Sequence, residues 1–467
     1  MKKIDLLIKN ACIITMNAGR RILYDASVAV LGNLIIEVGP SAEIDVHYDP
    51  EKIIDAHGKY LFPGFVTTHT HLFQTLLKGL GRDKPLLEWL NSSVKRALGF
   101  YDEEAMHYAA LLGLIEAVRT GTTTVTDFQY CHMGPGFDIP VIEAYEKLGV
   151  RGVMSKAHTD VSSFAKDFGI QYIETEDDYF RELEDLCSKY AGHQFISMSM
   201  APGIIWDHSR EGFLRTRESA NRLGIPITMH VVETADDDQF CMERWGMRTI
   251  PFLEECGLLG PDFVAVHSVY LTPEDIKTFK KYGVSVSHCP IPNMLLGSGA
   301  APIPRLLEEG VNVSLACDGA ASNDGQDMLE VLKITALQHK LISHDASVVS
   351  ASEVLEMATL GGAKALGMEK EVGSIEVGKC ADMFIYNPYD CRSIPVNDPI
   401  SSIVYSSSRI NVETTIINGK IVMEKGVIYG IDEEYVLNKA WKLANGIVSR
   451  AGIGNIQWGQ KIRPLNI

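Results

Sequence analysis

Two histidines one residue apart, His69 and His71, close the run Pro63-Gly64-Phe65-Val66-Thr67-Thr68-His69-Thr70-His71. Residues i and i+2 of a strand share a face, so the pair presents two imidazoles side by side at the C-terminal end of a strand. Such a pair is poor core material and half of a metal site. Three later apolar runs end in His230, His267 and Asp318. Imidazole nitrogens with one carboxylate oxygen suit a single divalent ion, Zn2+ first and Fe2+ second. Glu233 follows His230 by three residues, an offset that carries a carboxylate over the ion without making it a ligand. The chemistry implied is hydrolysis: an ion makes water acidic enough to attack near neutral pH, and a carboxyl in a dry mouth moves protons to the leaving group.

These side chains need a frame that gathers strand ends. From about residue 61, apolar runs of strand length alternate with amphipathic helices, the texture of βα units around a parallel sheet. The strands are expected at Phe65–Thr68, Thr122–Asp127, Gly152–Ser155, Phe195–Met200, Pro226–His230, Phe263–His267, Val284–His288 and Val311–Cys317. The helices are expected at Glu103–Thr120 (capped by Asp102), Ile139–Leu148, Asp177–Tyr190, Glu211–Leu223, Thr249–Cys256, Pro273–Tyr282, Pro304–Glu309 and Met328–His339. Eight repeats over roughly 270 residues have the count and size of a (β/α)8 TIM barrel, whose strand C-termini face one mouth. A further helix around Ser352–Leu366 leads out. Residues 1–60 read instead as short strands and turns, and strand texture returns after Gly373 at Met383–Tyr386, Ile403–Tyr405, Val412–Ile417 and Lys420–Met423, with a hairpin turn at Asn418-Gly419. The α/β chain is therefore expected to hold its barrel (61–373) as an insertion in a small β-sandwich domain built from both ends (1–60 and 374–430), followed by a helical tail (431–467).

Bulk composition narrows the function classes. The 467 residues carry a formal net charge of −17 and no long basic run, which excludes nucleic-acid binding as the main activity. Nine cysteines at irregular spacing form no C-x-x-C pair, which reads as buried reduced thiols in a cytoplasmic protein. Asp5 and Lys9 interrupt the first apolar run, so neither a signal peptide nor a membrane span is legible. The missing P-C-x-x-C excludes a cytidine-deaminase-type zinc site.

With Leu61-Phe62-Pro63-Gly64-Phe65, Thr68–His71, Gly121-Thr122-Thr123-Thr124, His230–Glu233, Asp318-Gly319-Ala320-Ala321-Ser322-Asn323 and Gly373–Asp382, nearly the whole chain resembles the amidohydrolase superfamily. More narrowly, it resembles the branch of chlorohydrolases and aminohydrolases that holds triazine hydrolases and methylthioadenosine/S-adenosylhomocysteine deaminases. The resemblance implies one metal held by His69, His71, His230 and Asp318. Asp318 would also take the proton of the attacking water, His267 would bond that water or the substrate, and Glu233 would shuttle a proton to the ring nitrogen and the departing group. Glu88, in Leu86-Leu87-Glu88-Trp89-Leu90, matches a carboxylate that holds a ribose diol; Trp89, Gln74, Trp206, Asn293, Phe73 and His158 are further substrate-side candidates. Strand four contains no lysine to bridge a second metal, and Lys156 near the end of strand three is a poor substitute. Two positions depart from the nucleoside deaminases of this group: Gly203 replaces a histidine, and Pro292 replaces a serine. Leu295–Pro302 looks closer to the triazine hydrolases.

The resulting expectation is a metal-dependent aminohydrolase. It would replace an exocyclic amine on a nitrogen heteroaromatic ring (purine or pterin base, nucleoside or triazine) with a hydroxyl, releasing ammonia. The alternatives are an s-triazine chlorohydrolase using the same site and a catalytically silent ligand-binding barrel. The expected partner is a small heteroaromatic molecule, with no nucleic acid and no membrane; a homodimer or homotetramer follows from the resemblance.

Overall fold

A computed structural model of the chain describes residues 1–160 and 174–454. The eight barrel strands are β6 (Phe65–Thr70), β7 (Thr122–Gln129), β8 (Arg151–Ala157), β9 (Ile196–Ala201), β10 (Ile227–Val231), β11 (Phe263–His267), β12 (Ser285–His288) and β13 (Val313–Leu315). They lie side by side in chain order, and every pairing is parallel. Strands β6, β7 and β8 are buried along their full length, as parallel strands covered by helices must be. The ring is drawn together between β6 and β13. Thr68 Oγ1 meets Ser314 Oγ at 2.9 Å and Ser287 Oγ at 2.7 Å, and the Asp318 N–H donates to the His69 carbonyl at 3.1 Å.

The outer strands are β1 (Lys2–Ile14), β2 (Ile22–Leu31), β3 (Leu34–Pro40), β4 (Tyr48–Asp55), β5 (Tyr60–Pro63), β14 (Met383–Tyr386), β15 (Val412–Ile417), β16 (Lys420–Glu424) and β17 (Val427–Ile428). They form one continuously hydrogen-bonded mixed sheet of nine strands. The two ends of the chain meet where β5 pairs antiparallel with β14. Period-two alternation at that seam serves two cores. Leu61, Met383 and Ile385 enter the core of the mixed sheet, while Phe62, Phe384 and Tyr386 enter the barrel's core. There Phe384 stacks on Phe62 at 5.5 Å and touches Phe65 at 4.9 Å. A buried ion pair reinforces the join: Arg151 Nε of β8 donates to Asp382 Oδ2 at 3.0 Å, and the Asn418 N–H donates to Asp382 Oδ1 at 2.7 Å. Asn418 and Gly419 have φ of 51° and 77°, the pair of positive values that a two-residue hairpin turn requires.

The structure corrects several local expectations. Residues Ile403–Tyr405 are the end of helix Pro399–Tyr405, not a strand. Asp398 caps that helix by accepting from the N–H groups of Ile400 and Ser401, and Pro399 fits its first turn. A helix at Asp236–Trp245, absent from the sequence reading, precedes Thr249–Glu255; its three leading aspartates suit a helix N-terminus. The eighth strand shrinks to Val313–Leu315, and the exit helix is interrupted by a π turn at Met357–Gly361. Asp102 caps Glu103–Arg119 as expected. The tail is the helix Glu433–Ala451; residues 455–467 lie outside the described residues. All nine cysteines are free thiols, and no helix among the described residues is long and apolar enough to cross a membrane.

Candidate active site

The C-terminal ends of β6, β10, β11 and the turn after β13 converge on one point. The ligand nitrogens of His69, His71 and His230 all lie within 4.8 Å of one another. Asp318 Oδ1 stands 3.4 Å from His69 Nε2 and 3.3 Å from His71 Nε2. Backbone carbonyls fix two of the rings: His71 Nδ1 donates to Phe128 O at 2.7 Å, and His230 Nδ1 donates to Gly203 O at 3.1 Å. Each bond places the proton on Nδ1 and leaves the Nε2 lone pair facing inward, the form a metal needs. His69 is fully buried, and neither of its ring nitrogens has a hydrogen-bond partner. An orphaned buried imidazole is costly unless something else takes up its lone pair. Burial holds all three neutral, lowering His69 to about 4 and His71 and His230 to about 3. Burial also pushes Asp318 up, but the His69 and His71 imidazoles outweigh it and keep the carboxyl well below the usual range. The donor set of three neutral imidazoles and one ionised carboxylate fits a divalent cation such as zinc.

Beside this cluster His267 and Glu233 face each other, Nε2 to Oε2, at 3.5 Å. His267 Nδ1 donates to Asn293 Oδ1 at 2.9 Å, which leaves Nε2 as an acceptor. Ser298 Oγ donates to Glu233 Oε1 at 3.2 Å. Burial raises the Glu233 pKa, opposed by His267. The backbone is held in an unfavourable conformation here: Val232, His267 and Asp318 have φ of 42°, 67° and 61°. Such non-glycine positions cost about 1–3 kcal/mol each and persist where the surroundings impose them. Gly319 has another reason to be glycine, since a Cβ there would meet Gln74 Oε1 at 2.0 Å.

A cavity of about 630 Å³ opens over these groups, within the usual size of small-molecule sites. His71, His230, Glu233, His267 and Asp318 line its base, and Gln74, Trp89, His158 and Trp206 line its walls, where the sequence reading expected substrate contacts. Glu88 is placed elsewhere: its side chain is 63% exposed beside Lys84, outside the cavity lining. Asn293 is buried behind His267 rather than on the cavity surface, and Phe73 packs edge-on against Tyr130 at 4.8 Å instead of lining the space. Lys156 is fully buried among Asp138, Glu174 and Glu182, away from the imidazole cluster. Several participants were not singled out from sequence. Phe128 packs against the rings of His69, His71 and His230 at 4.5–5.4 Å. Tyr130 accepts from Gln74 Nε2 at 2.7 Å, Asp127 accepts from the Leu72 N–H at 2.7 Å, and Ser298 holds Glu233. Phe128, Tyr130 and Asp127 sit at the end of β7, where barrel-end position was the available signal; Ser298 lies on a loop with none.

Residues 60–422 match the sequence pattern of the Amidohydrolase family. A 5-methylthioadenosine/S-adenosylhomocysteine deaminase of Thermodesulfovibrio yellowstonii is 33% identical over 93% of this chain and 97% of its own. A 5'-deoxyadenosine deaminase of Methanobrevibacter smithii is 36% identical over 88% of this chain and 93% of its own. The crystal structure of an adenosine deaminase from Xanthomonas campestris with bound zinc superposes with a TM-score of 0.90 at 29% identity, covering 96% of this chain and 99% of that one. The chain belongs to the amidohydrolase family. It is an aminohydrolase of the class that acts on carbon–nitrogen bonds in cyclic amidines, within a metal-dependent family.

Proposed function

We propose that this protein deaminates the adenine ring of a nucleoside with one zinc ion, giving the corresponding hydroxylated ring and ammonia. The observation that carries the reading is the opposition of two groups at the cavity base: the donor cluster of His69, His71, His230 and Asp318, in which both His69 nitrogens are buried without a partner, and the buried Glu233–His267 pair. The deaminase names of the relatives support an adenosine-type substrate. His69, His71, His230 and Asp318 would hold the zinc ion, which would supply Lewis acidity that lowers the pKa of water toward about 7.

The chain's own residues do the rest. Asp318, kept ionised by its imidazole neighbours, accepts the water's proton. His267, with Nδ1 committed to Asn293, accepts a hydrogen bond from the attacking water at Nε2. Glu233, whose pKa burial raises, donates to the ring nitrogen beside the attacked carbon, making that carbon electrophilic. The carboxylate left on Glu233 takes the proton of the added hydroxyl and passes it to the amine, which departs as ammonia, and the proton held by Asp318 then restores Glu233. Phe128, Trp89 and Trp206 give the cavity apolar walls against an aromatic ring.

The test is a screen of zinc-replete protein against adenosine, 5'-deoxyadenosine, methylthioadenosine, guanine, melamine and atrazine, reading ammonia and chloride separately. Ammonia from the adenosines is the expected result. Chloride from atrazine with no ammonia would favour a chlorohydrolase. Zinc bound with no turnover on any compound would leave the silent barrel.

A further inference from the structure

Glu233 reaches the cavity from the turn between β10 and the helix Asp236–Trp245. One peptide unit of that turn, the one joining Val232 to Glu233, is held at both of its polar ends. Its carbonyl, on Val232, accepts from the N–H groups of Val269 at 3.1 Å and Tyr270 at 3.0 Å, both just past β11. Its N–H, on Glu233, donates to Asp237 Oδ2 at 3.1 Å. The plane of this peptide needs holding, because Val232 has φ of 42°, which a β-branched residue adopts only under constraint.

Asp237 is the buried member of the three aspartates that lead the helix. Asp236 is exposed, and Asp238 accepts from Arg248 Nε at 2.7 Å and from the Thr249 N–H at 2.9 Å, tying two helices together. Acidic residues favour a helix N-terminus, but that preference does not call for burying one of them. Burial first, and the Glu233 carboxyl second, push Asp237 well above the usual carboxylate range. A neutral carboxyl still offers its carbonyl oxygen to the Glu233 N–H. Burying such a group is costly unless its hydrogen bond is made, and the partner here is the main chain of the proton donor.

We infer that Asp237 is a positioning residue for the deamination: it fixes the plane of the Val232–Glu233 peptide, and with it the direction in which the Glu233 carboxyl enters the cavity. The inference rests on the proton-donor role given to Glu233 above. Ser298 holds the far end of that side chain, and Asp237 holds its root.

The experiment uses zinc-loaded wild type, Asp237→Ala, Asp237→Leu, Asp237→Asn and Asp238→Ala on the best substrate of the screen above. It reads kcat, KM, zinc content and the urea midpoint. Asp237→Ala and Asp237→Leu remove the acceptor, and kcat is expected to fall about 10- to 100-fold, with KM little changed and zinc retained. The Leu variant keeps the volume and serves if the Ala variant does not fold. Asp237→Asn keeps a carbonyl oxygen in place and is expected to restore kcat to within about 3-fold of wild type. Asp238→Ala, on the same helix turn, is expected to lower the urea midpoint and leave kcat unchanged. A wild-type kcat without the acceptor, a loss that Asn does not restore, or an equal loss of kcat in Asp238→Ala would overturn the role given to Asp237 while leaving deamination intact. A wild type that releases ammonia from no compound would instead remove the deaminase reading, and this role with it.

Discussion

Glu233 and His267 are each held by a residue from one short stretch of chain. Asn293 fixes His267 through Nδ1, and Ser298, whose own N–H donates to the Asn293 carbonyl at 2.9 Å, fixes Glu233. The proton-moving pair is therefore set by one short stretch, the end of helix Pro290–Leu295 and the loop after it. Glu233→Gln keeps the shape and removes the proton; ammonia release is expected to fall by at least about 100-fold, the usual worth of a positioned general acid. Metal content, measured by elemental analysis, should not change, because Glu233 is not in the donor cluster; full activity would refute the role. Asn293→Ala leaves a buried ring N–H without its acceptor, and kcat is expected to drop about 10-fold with zinc still bound. Asn293→Asp restores an acceptor and should recover most of that loss. A loss that Asp does not recover would point to general packing damage instead.

At the scale of elements, the run Gly373–Asp382 ties the mixed sheet to the barrel through one aspartate. Asp382 takes both the guanidinium of Arg151 and the backbone of the 418–419 hairpin, and both partners of the ion pair are almost fully buried. Removing one member of a buried pair strands the other charge. Asp382→Ala is therefore expected to lower unfolding stability by about 3–5 kcal/mol, read from urea denaturation. A loss under about 1 kcal/mol would mean that water reaches Arg151. Barrel strands and helices were legible in the sequence because their periodicity is local and their burial two-sided. Ile403–Tyr405 was not: three apolar residues cannot declare their own period, and only the Asp398-Pro399 cap before them settles the matter. The helix at Asp236–Trp245 was hidden in a different way, since its acidic first turn resembles a loop until the fold gives Asp237 a buried place against the Glu233 backbone.

The whole molecule buries several imidazoles outside the donor cluster. His208 and His339 are lowered by burial to about 4, and His158 and His288 are lowered well below the usual value of 6.5. His288 and His339 contact each other, Nε2 to Nε2, at 3.1 Å. In the unfolded chain these rings take up protons near pH 6.5, while in the folded chain His208 and His339 do so only near about 4 and His158 and His288 only well below 6.5. Between those values only the unfolded state gains protons, so stability falls as pH falls. The urea midpoint is expected to be lower at about pH 5 than at about pH 7.5; an unchanged midpoint would contradict the buried neutral rings.

By itself the sequence determined the barrel, its place between strands from the two chain ends, and the histidines and carboxylates at the strand ends. Those features follow from short-range periodicity and from strand-end position, both written locally. Only the tertiary structure decided that Glu88 faces solvent and that Asn293 and Ser298 stand behind His267 and Glu233. Such contacts depend on the paths that loops take between elements distant in the chain. No spacing rule carries that information, because a loop's course is set by what it packs against.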